Sequence, residues 1–298
     1  METENTTFQS GFVSIIGVPN VGKSTLLNAL INQKIAIVSP KAQTTRRAII
    51  GIHNAENHQI VFVDTPGIIT PHYALQETMM QSVEQSLQDT DVIVWLTTDK
   101  INSNENIVVE KLQKISKPIL VLINKSDKSD TEKIQHRISQ LGDNLSFANS
   151  LAISALHKFN IESLISLILN YLPIHPAYYE LEQFTDQTER QLITEIIREK
   201  ILTHYQEEIP YSCEVTILEY KEVDNQVRIH TEIHVERDSQ KIILIGKNGM
   251  KIKRIRIEAR RDIEALLGKT VFLELYVRVA EGWKNKENFL KKFGYLTQ

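Results

Sequence analysis

Gly17-Val18-Pro19-Asn20-Val21-Gly22-Lys23-Ser24 decides how this chain of 298 residues reads. The spacing is that of a phosphate-binding loop, G-x-x-x-x-G-K-S. Its two glycines let backbone N–H groups turn toward a polyphosphate. Lys23 can reach the β- and γ-phosphates, and the Ser24 hydroxyl can hold Mg²⁺. Residues 11–16 before the loop are apolar and β-rich. Thr25 and the residues after it, to 31, read as a helix. That strand–loop–helix context separates a true phosphate loop from a chance match.

The composition sets outer bounds. At 42% hydrophobic and 24% charged, the chain can bury ordinary cores, and its length suits one large domain or two. A net charge of −3 singles out no nucleic-acid partner, so local clustering has to be read instead. Cys213 is the one cysteine, which excludes a disulfide framework and fits a reducing cytoplasm. The polar, acidic start is unlike a signal peptide, and no apolar run is long enough to span a membrane.

From residue 11 to about 172, strand-like and helix-like segments alternate. Residues 60–63, 91–96 and 118–123 are short apolar runs of the buried parallel type. Residues 74–87, 105–115, 131–141 and 161–172 carry helical spacing. This predicts an α/β fold, a doubly wound sheet whose ligands bind at the carboxyl ends of its strands.

The motifs fall at those ends. In Asp64-Thr65-Pro66-Gly67, followed by Ile68, Asp64 can orient Mg²⁺ and the Gly67 N–H can sense the γ-phosphate. Alone, Asp-x-x-Gly is also a common turn. Asn124-Lys125-Ser126-Asp127 places a carboxylate where guanine presents N1–H and an exocyclic amine, a donor pair that adenine lacks. Ser154-Ala155 can offer a backbone N–H to the guanine oxygen. The segment 34–47 carries Lys34, Lys41, Arg46 and Arg47 and no acid. Of its two threonines, Thr45 rather than Thr44 is expected at Mg²⁺ and the γ-phosphate. The catalytic candidates are therefore Lys23, Thr45, Asp64 and Gly67, with Ser24 and Thr45 as metal ligands.

The second half differs in character. After Pro173 a link leads to a helix over 187–205, two strands over 212–220 and 226–235, and a third strand over 270–279. Between them lies Ile245-Gly246-Lys247-Asn248-Gly249, a G-x-x-G turn between helical segments. Such a turn lets a nucleic-acid backbone approach closely. From 241 to 261 the charged residues are Lys241, Lys247, Lys251, Lys253, Arg254, Arg256, Arg260 and Arg261 against Glu258 alone. This imbalance within an acidic chain is an electrostatic footprint for phosphate. Ile245 through Gly249 with Lys251, Lys253 and Arg254 are the RNA-binding candidates. An ATP-dependent enzyme and a non-hydrolysing RNA chaperone are the competing classes; Asp127 argues against the first.

The ordered motif set resembles the translation-factor-related GTPases. Ser39-Pro-Lys-Ala-Gln-Thr-Thr-Arg46 is similar to the switch segment of the Era family, bacterial GTPases of small ribosomal subunit assembly. The order helix–strand–strand–helix–G-x-x-G–helix–strand resembles a type II KH domain. The resemblance implies a GTP-binding domain over 1–178, and a linker with a KH domain over 179–298, its core at about 197–283. It implies slow GTP hydrolysis to GDP with Mg²⁺, since Ile68 stands where other small GTPases place a water-orienting glutamine. Asn20 becomes a candidate ligand for K⁺ as activating cation. Further implications are a monomer, binding near the 3′ end of small-subunit ribosomal RNA and to the small subunit, and a cytoplasmic location with peripheral contact at the inner membrane. Val18 and Gln191 depart from the family pattern, where a charged residue and an aromatic are expected.

Overall fold

The computed structural model describes residues 8–296. The chain divides into two compact units. The first runs to Asp186 apart from His72–Thr78, which group with the second, from Gln187 onward.

The first unit is built on a six-stranded sheet in the order β2-β3-β1-β4-β5-β6. Its strands are β1 (Gln9–Ile16), β2 (Ile49–Asn54), β3 (His58–Asp64), β4 (Val92–Thr97), β5 (Ile119–Ile123) and β6 (Asn149–Ala152). The helices are α1 (Lys23–Ile31), α2 (Ala74–Gln88), α3 (Glu105–Leu112), α4 (Thr131–Gly142) and α5 (Ile161–Leu169). β1, β3, β4, β5 and β6 run parallel, whereas β2 pairs antiparallel with β3. Ile93 through Leu96 of β4 and Leu120 through Ile123 of β5 are wholly buried, which explains their unbroken apolar sequence.

β2 is not among the predicted strands. Gly51 at its centre shows why it can lie where it does. A Cβ there would stand 2.7 Å from Leu27 Cδ1 and 2.8 Å from Ile31 Cγ1, so only glycine lets α1 pack this closely. α3 and α5 end earlier than predicted, at Leu112 and Leu169.

The segment after α5 is strapped to the sheet, which carries the first unit beyond the expected boundary at 178. Gln59, fully buried, accepts from the N–H groups of Tyr178 at 2.7 Å and Tyr179 at 3.0 Å, and its Nε2 donates to the Tyr179 carbonyl at 2.9 Å. Further along, the Ile52 N–H donates to the Phe184 carbonyl at 2.9 Å, and Thr185 Oγ1 donates to the Ile50 carbonyl at 2.7 Å.

The second unit is α+β. α6 (Glu189–His204), a short α7 (Ile209–Ser212), β7 (Glu214–Val223), β8 (Gln226–Val235), α8 (Asp238–Ile245), α9 (Met250–Leu267), β9 (Thr270–Val279) and α10 (Glu287–Lys292) follow in order. β7 starts two residues later than predicted because α7 intervenes, with Pro210 in its first turn, where a missing N–H costs nothing. β7 and β8 form an antiparallel hairpin, and β8 and β9 run parallel. Ile193, Ile197 and Ile201 of α6 and Ile255, Ala259 and Ile263 of α9 fall on single helix faces. They close one core over Val227, Ile229 and Ile233 of β8.

Candidate nucleotide site and G-x-x-G turn

At the carboxyl ends of β1, β3, β5 and β6 the motifs surround a cavity of about 330 Å³, whose wall includes Lys23, Ser24, Thr45, Gly67, Asn124 and Asp127. The two glycines of the loop have positive φ, 152° at Gly17 and 105° at Gly22. A Cβ on Gly22 would meet Asn124 Nδ2 at 2.3 Å, so this glycine is needed for close approach as well as for conformation. Lys23 is buried, and its Nζ donates to the loop carbonyls of Gly17 and Val18 at 3.2 and 3.1 Å. Burial lowers its pKa to about 8, against the opposing pull of Asp64.

Three oxygen-bearing side chains meet beside it. Ser24 Oγ donates to Asp64 Oδ2 at 2.6 Å and lies 2.8 Å from Thr45 Oγ1, which is 3.3 Å from the same carboxylate oxygen. Asp64 is fully buried, and its Oδ1 has no hydrogen-bond partner. Desolvation therefore raises its pKa to about 6. A hard divalent cation fits this cluster: two hydroxyls as ligands, and a buried carboxylate with an oxygen to spare. Among the described residues no group of three His, Cys, Asp or Glu could hold a metal by itself, so any cation here would need the ligand's own oxygens. Thr44 also lines the cavity, but its Oγ1 donates to the Lys41 carbonyl at 2.7 Å.

Gly67 lies against the loop. A Cβ there would stand 2.9 Å from the backbone N and Cα of Pro19. The next N–H, of Ile68, donates to the Gly17 carbonyl at 3.0 Å, while the Ile68 side chain is fully buried. Thr65 serves the scaffold: its Oγ1 donates to the Ile15 carbonyl at 2.9 Å. Val18 and Val21 are buried beneath the loop, so the expected charged residue at Val18 would have to be desolvated.

At the base end, Asn124 ties three motifs together. Its Nδ2 donates to the Val21 carbonyl at 2.8 Å, and its Oδ1 accepts the Ala155 N–H at 3.0 Å. Lys125, with φ 64°, reaches over the loop to the Asn20 carbonyl at 2.9 Å. Asp127 accepts from Ser154 Oγ at 2.6 Å, a bond that holds its pKa below the usual carboxylate value. The N–H groups of both Ser154 and Ala155 are engaged, by the Phe159 carbonyl and by Asn124. The Ser154 hydroxyl lines the same pocket, where it donates to Asp127. Ser126 begins a short turn, its N–H held by the Ile153 carbonyl. Lys128 and the exposed Leu156 also line the cavity and were not singled out from sequence. Their position beside Asp127 and Ala155 is the only sequence signal for them.

In the second unit α8 ends at Ile245, and the chain turns through Gly246, with φ 71°, and Asn248, with φ 51°, into α9. A Cβ on Gly246 would press to 2.7 Å from Lys251 Cγ, whereas one on Gly249 would meet nothing within 4 Å. Lys247, Asn248, Lys251, Lys253 and Arg254 are exposed, and Arg254 Nε donates to Glu258 at 3.0 Å. The turn thus offers an open backbone flanked by cations.

Such a pairing defines a phosphate-loop nucleotide switch with a base pocket suited to guanine, followed by a basic G-x-x-G unit. Known proteins share this design. The profile of the 50S ribosome-binding GTPases matches residues 12–125, and that of the KH domain matches residues 208–284. GTPase Era of Staphylococcus epidermidis is 43% identical over 294 residues, covering 98% of both chains. GTPase Era of Alkaliphilus oremlandii is 42% identical over 293 residues, covering 97% of this chain and 99% of its own. Two solved structures match at 37% identity, each covering 97% of this chain and 99% of theirs. One is Era in complex with MgGDPNP and nucleotides 1506–1542 of 16S ribosomal RNA, with a TM-score of 0.94. The other is a variant of Aquifex aeolicus Era bound to GDP·AlF4⁻, with a TM-score of 0.93. The chain belongs to the Era family of GTPases.

Proposed function

We propose that this protein is a GTP-hydrolysing switch that binds small-subunit ribosomal RNA near its 3′ end and acts in maturation of the small subunit. One observation carries the reading. The same chain holds a cavity lined by Lys23, Ser24, Thr45 and Asp127, its two hydroxyls bonded to the buried Asp64, and an open G-x-x-G turn set in a basic helix. The Era structure holding 16S nucleotides supports RNA as the ligand of that turn.

In this reading Ser24 and Thr45 would hold Mg²⁺, with the Asp64 carboxylate bonded to both hydroxyls. Bound there, Mg²⁺ would supply positive charge against the nucleotide's phosphates. Lys23 exchanges its two loop carbonyls for phosphate oxygens, and Asp127 accepts from guanine. Thr45 and the Gly67 N–H report the γ-phosphate. The Ile68 side chain has no hydrogen-bonding atom and is buried, so the chain itself orients water poorly and intrinsic turnover is slow. Asn20 at the loop's outer edge is the candidate for K⁺. The protein works as a monomer in the cytoplasm. Among the described residues no helix is long and apolar enough to cross a membrane, and basic α9 is the surface available for peripheral contact with the inner membrane.

The test is RNA binding across nucleotide states. Affinity for an RNA carrying the small-subunit 3′ end is measured with Mg²⁺ and either GDP or a non-hydrolysable GTP analogue. The analogue should bind RNA tighter by about tenfold, the scale of ordinary coupling between sites. Equal affinity in both states rejects the switch.

A further inference from the structure

The turn that carries Asp127 hangs on polar links to the end of β4. One is direct: Ser129 Oγ donates to Asp99 Oδ2 at 2.9 Å. The other passes through buried charge. Glu105 opens α3 and Arg137 lies within α4. Their side chains are 7% and 5% exposed and form an ion pair. Thr97 Oγ1 donates to the other Glu105 oxygen, and Arg137 Nε donates to the Thr98 carbonyl at 3.3 Å. The carbonyl of that same Thr97 accepts the Asn124 N–H at 2.8 Å. The pair therefore joins α3, α4 and the last residue of β4 at the point from which the base-recognition motif is suspended. α4 itself begins at Thr131, just after the Asp127 turn.

Stability alone is a weak reason to bury such a pair. Well-packed apolar residues of similar volume often serve as well or better. What charge and hydrogen bonds add is direction: a guanidinium fixed to a carboxylate and a carbonyl allows one orientation of α4, where apolar packing allows several. A carboxylate that must meet two donors on a base at once needs that precision.

We infer that Glu105 and Arg137 are positioning residues for guanine recognition, acting through Thr97 and α4 on the Asn124–Asp127 turn. This rests on the reading of Asp127 as the guanine acceptor. Neither residue touches the nucleotide cavity. Their effect is on how well Asp127 discriminates, not on hydrolysis.

The experiment uses the full chain and two variants, Glu105→Leu combined with Arg137→Met, and Thr97→Val. KM and kcat are measured for GTP and for ITP, whose base lacks the exocyclic amine, alongside the thermal midpoint. The double variant should fold with a midpoint within a few degrees of the parent. It should lose about tenfold of the preference for GTP over ITP, with the loss in KM rather than kcat. Thr97→Val, which deletes one hydroxyl, should lose about threefold. A folded double variant with the parent's GTP-to-ITP ratio overturns the inference. If the double variant does not fold, Thr97→Val decides in the same way. Asp127→Asn separates the two levels. If that variant still prefers GTP to XTP, the guanine reading itself has failed. If it switches to XTP while the other variants keep their ratio, only the positioning role is wrong.

Discussion

Asp127 and Asp64 are carboxylates of opposite character. Asp127 is partly exposed and held ionised by the Ser154 hydroxyl, so it is ready to accept from a base. Replacing it with asparagine exchanges one acceptor for a donor. Asp127→Asn should weaken GTP by about 100-fold and favour XTP, whose carbonyl replaces the amine, in a competition assay with labelled GDP. Asp64 is buried beside Lys23, and its pKa of about 6 lies above the ordinary aspartate value of 3.8. A carboxylate with a raised folded pKa contributes stability that is present below about pH 4 and lost as pH rises through about 6, because the native state then holds a proton the unfolded chain has released. Nucleotide-free protein should therefore lose on the order of 3 kcal/mol over that window, read from urea midpoints. Asp64→Asn should remove this slope. Mg²⁺ with GDP should flatten it, because a bound cation favours the ionised form.

Elements are placed here by single polar residues as much as by apolar faces. Gln59 is a clear case: one buried amide satisfies the backbone of Tyr178 and Tyr179 and also donates to Asn54 Oδ1 at 2.8 Å. Gln59→Leu would leave two N–H groups without their acceptor. The expected cost is about 1–3 kcal/mol, with faster amide exchange at Tyr178 and Tyr179 and guanine-nucleotide affinity unchanged. Unaltered exchange would mean that the strap at Phe184 and Thr185 carries the segment alone. Gln191 plays a comparable part at the start of α6. An aromatic is the family expectation there, but the structure uses the amide in a capping box: its Oε1 accepts from the Thr188 N–H at 2.8 Å and its own N–H donates to Thr188 Oγ1 at 3.3 Å.

Across the whole molecule, charge is distributed by task. The chain is acidic overall, yet α9 and the turn before it carry a dense set of exposed cations. Binding that depends on them must be salt-sensitive. Changing Lys247 and Asn248 together to Asp keeps both glycines, and Asp tolerates the positive φ at Asn248. RNA affinity should drop about tenfold at moderate salt. The slope of log affinity against log salt should fall by about 0.7 for each RNA phosphate that the variant no longer neutralises. GTP turnover without RNA should not change, because these residues lie in the second unit. Unchanged RNA affinity would remove the turn from the RNA interface.

The order and spacing of Gly17–Ser24, Asp64–Gly67, Asn124–Asp127 and Gly246–Gly249 were enough to indicate a nucleotide switch joined to a nucleic-acid reader. Those motifs are local: each needs its residues only a few positions apart, on a turn whose conformation its own glycines and short side chains dictate. The buried strands were legible for a related reason, since a sheet covered on both faces demands unbroken apolar runs. What the chain could not announce is set by distant partners. β2 exists because Leu27 and Ile31 accept Gly51 against them. The segment after α5 belongs to the first unit because Gln59 holds it. The Ala155 N–H goes to Asn124, and Arg137 reaches Glu105, over separations of about thirty residues. Only the folded chain decides those pairings, because a buried donor takes whichever acceptor the packing brings to it.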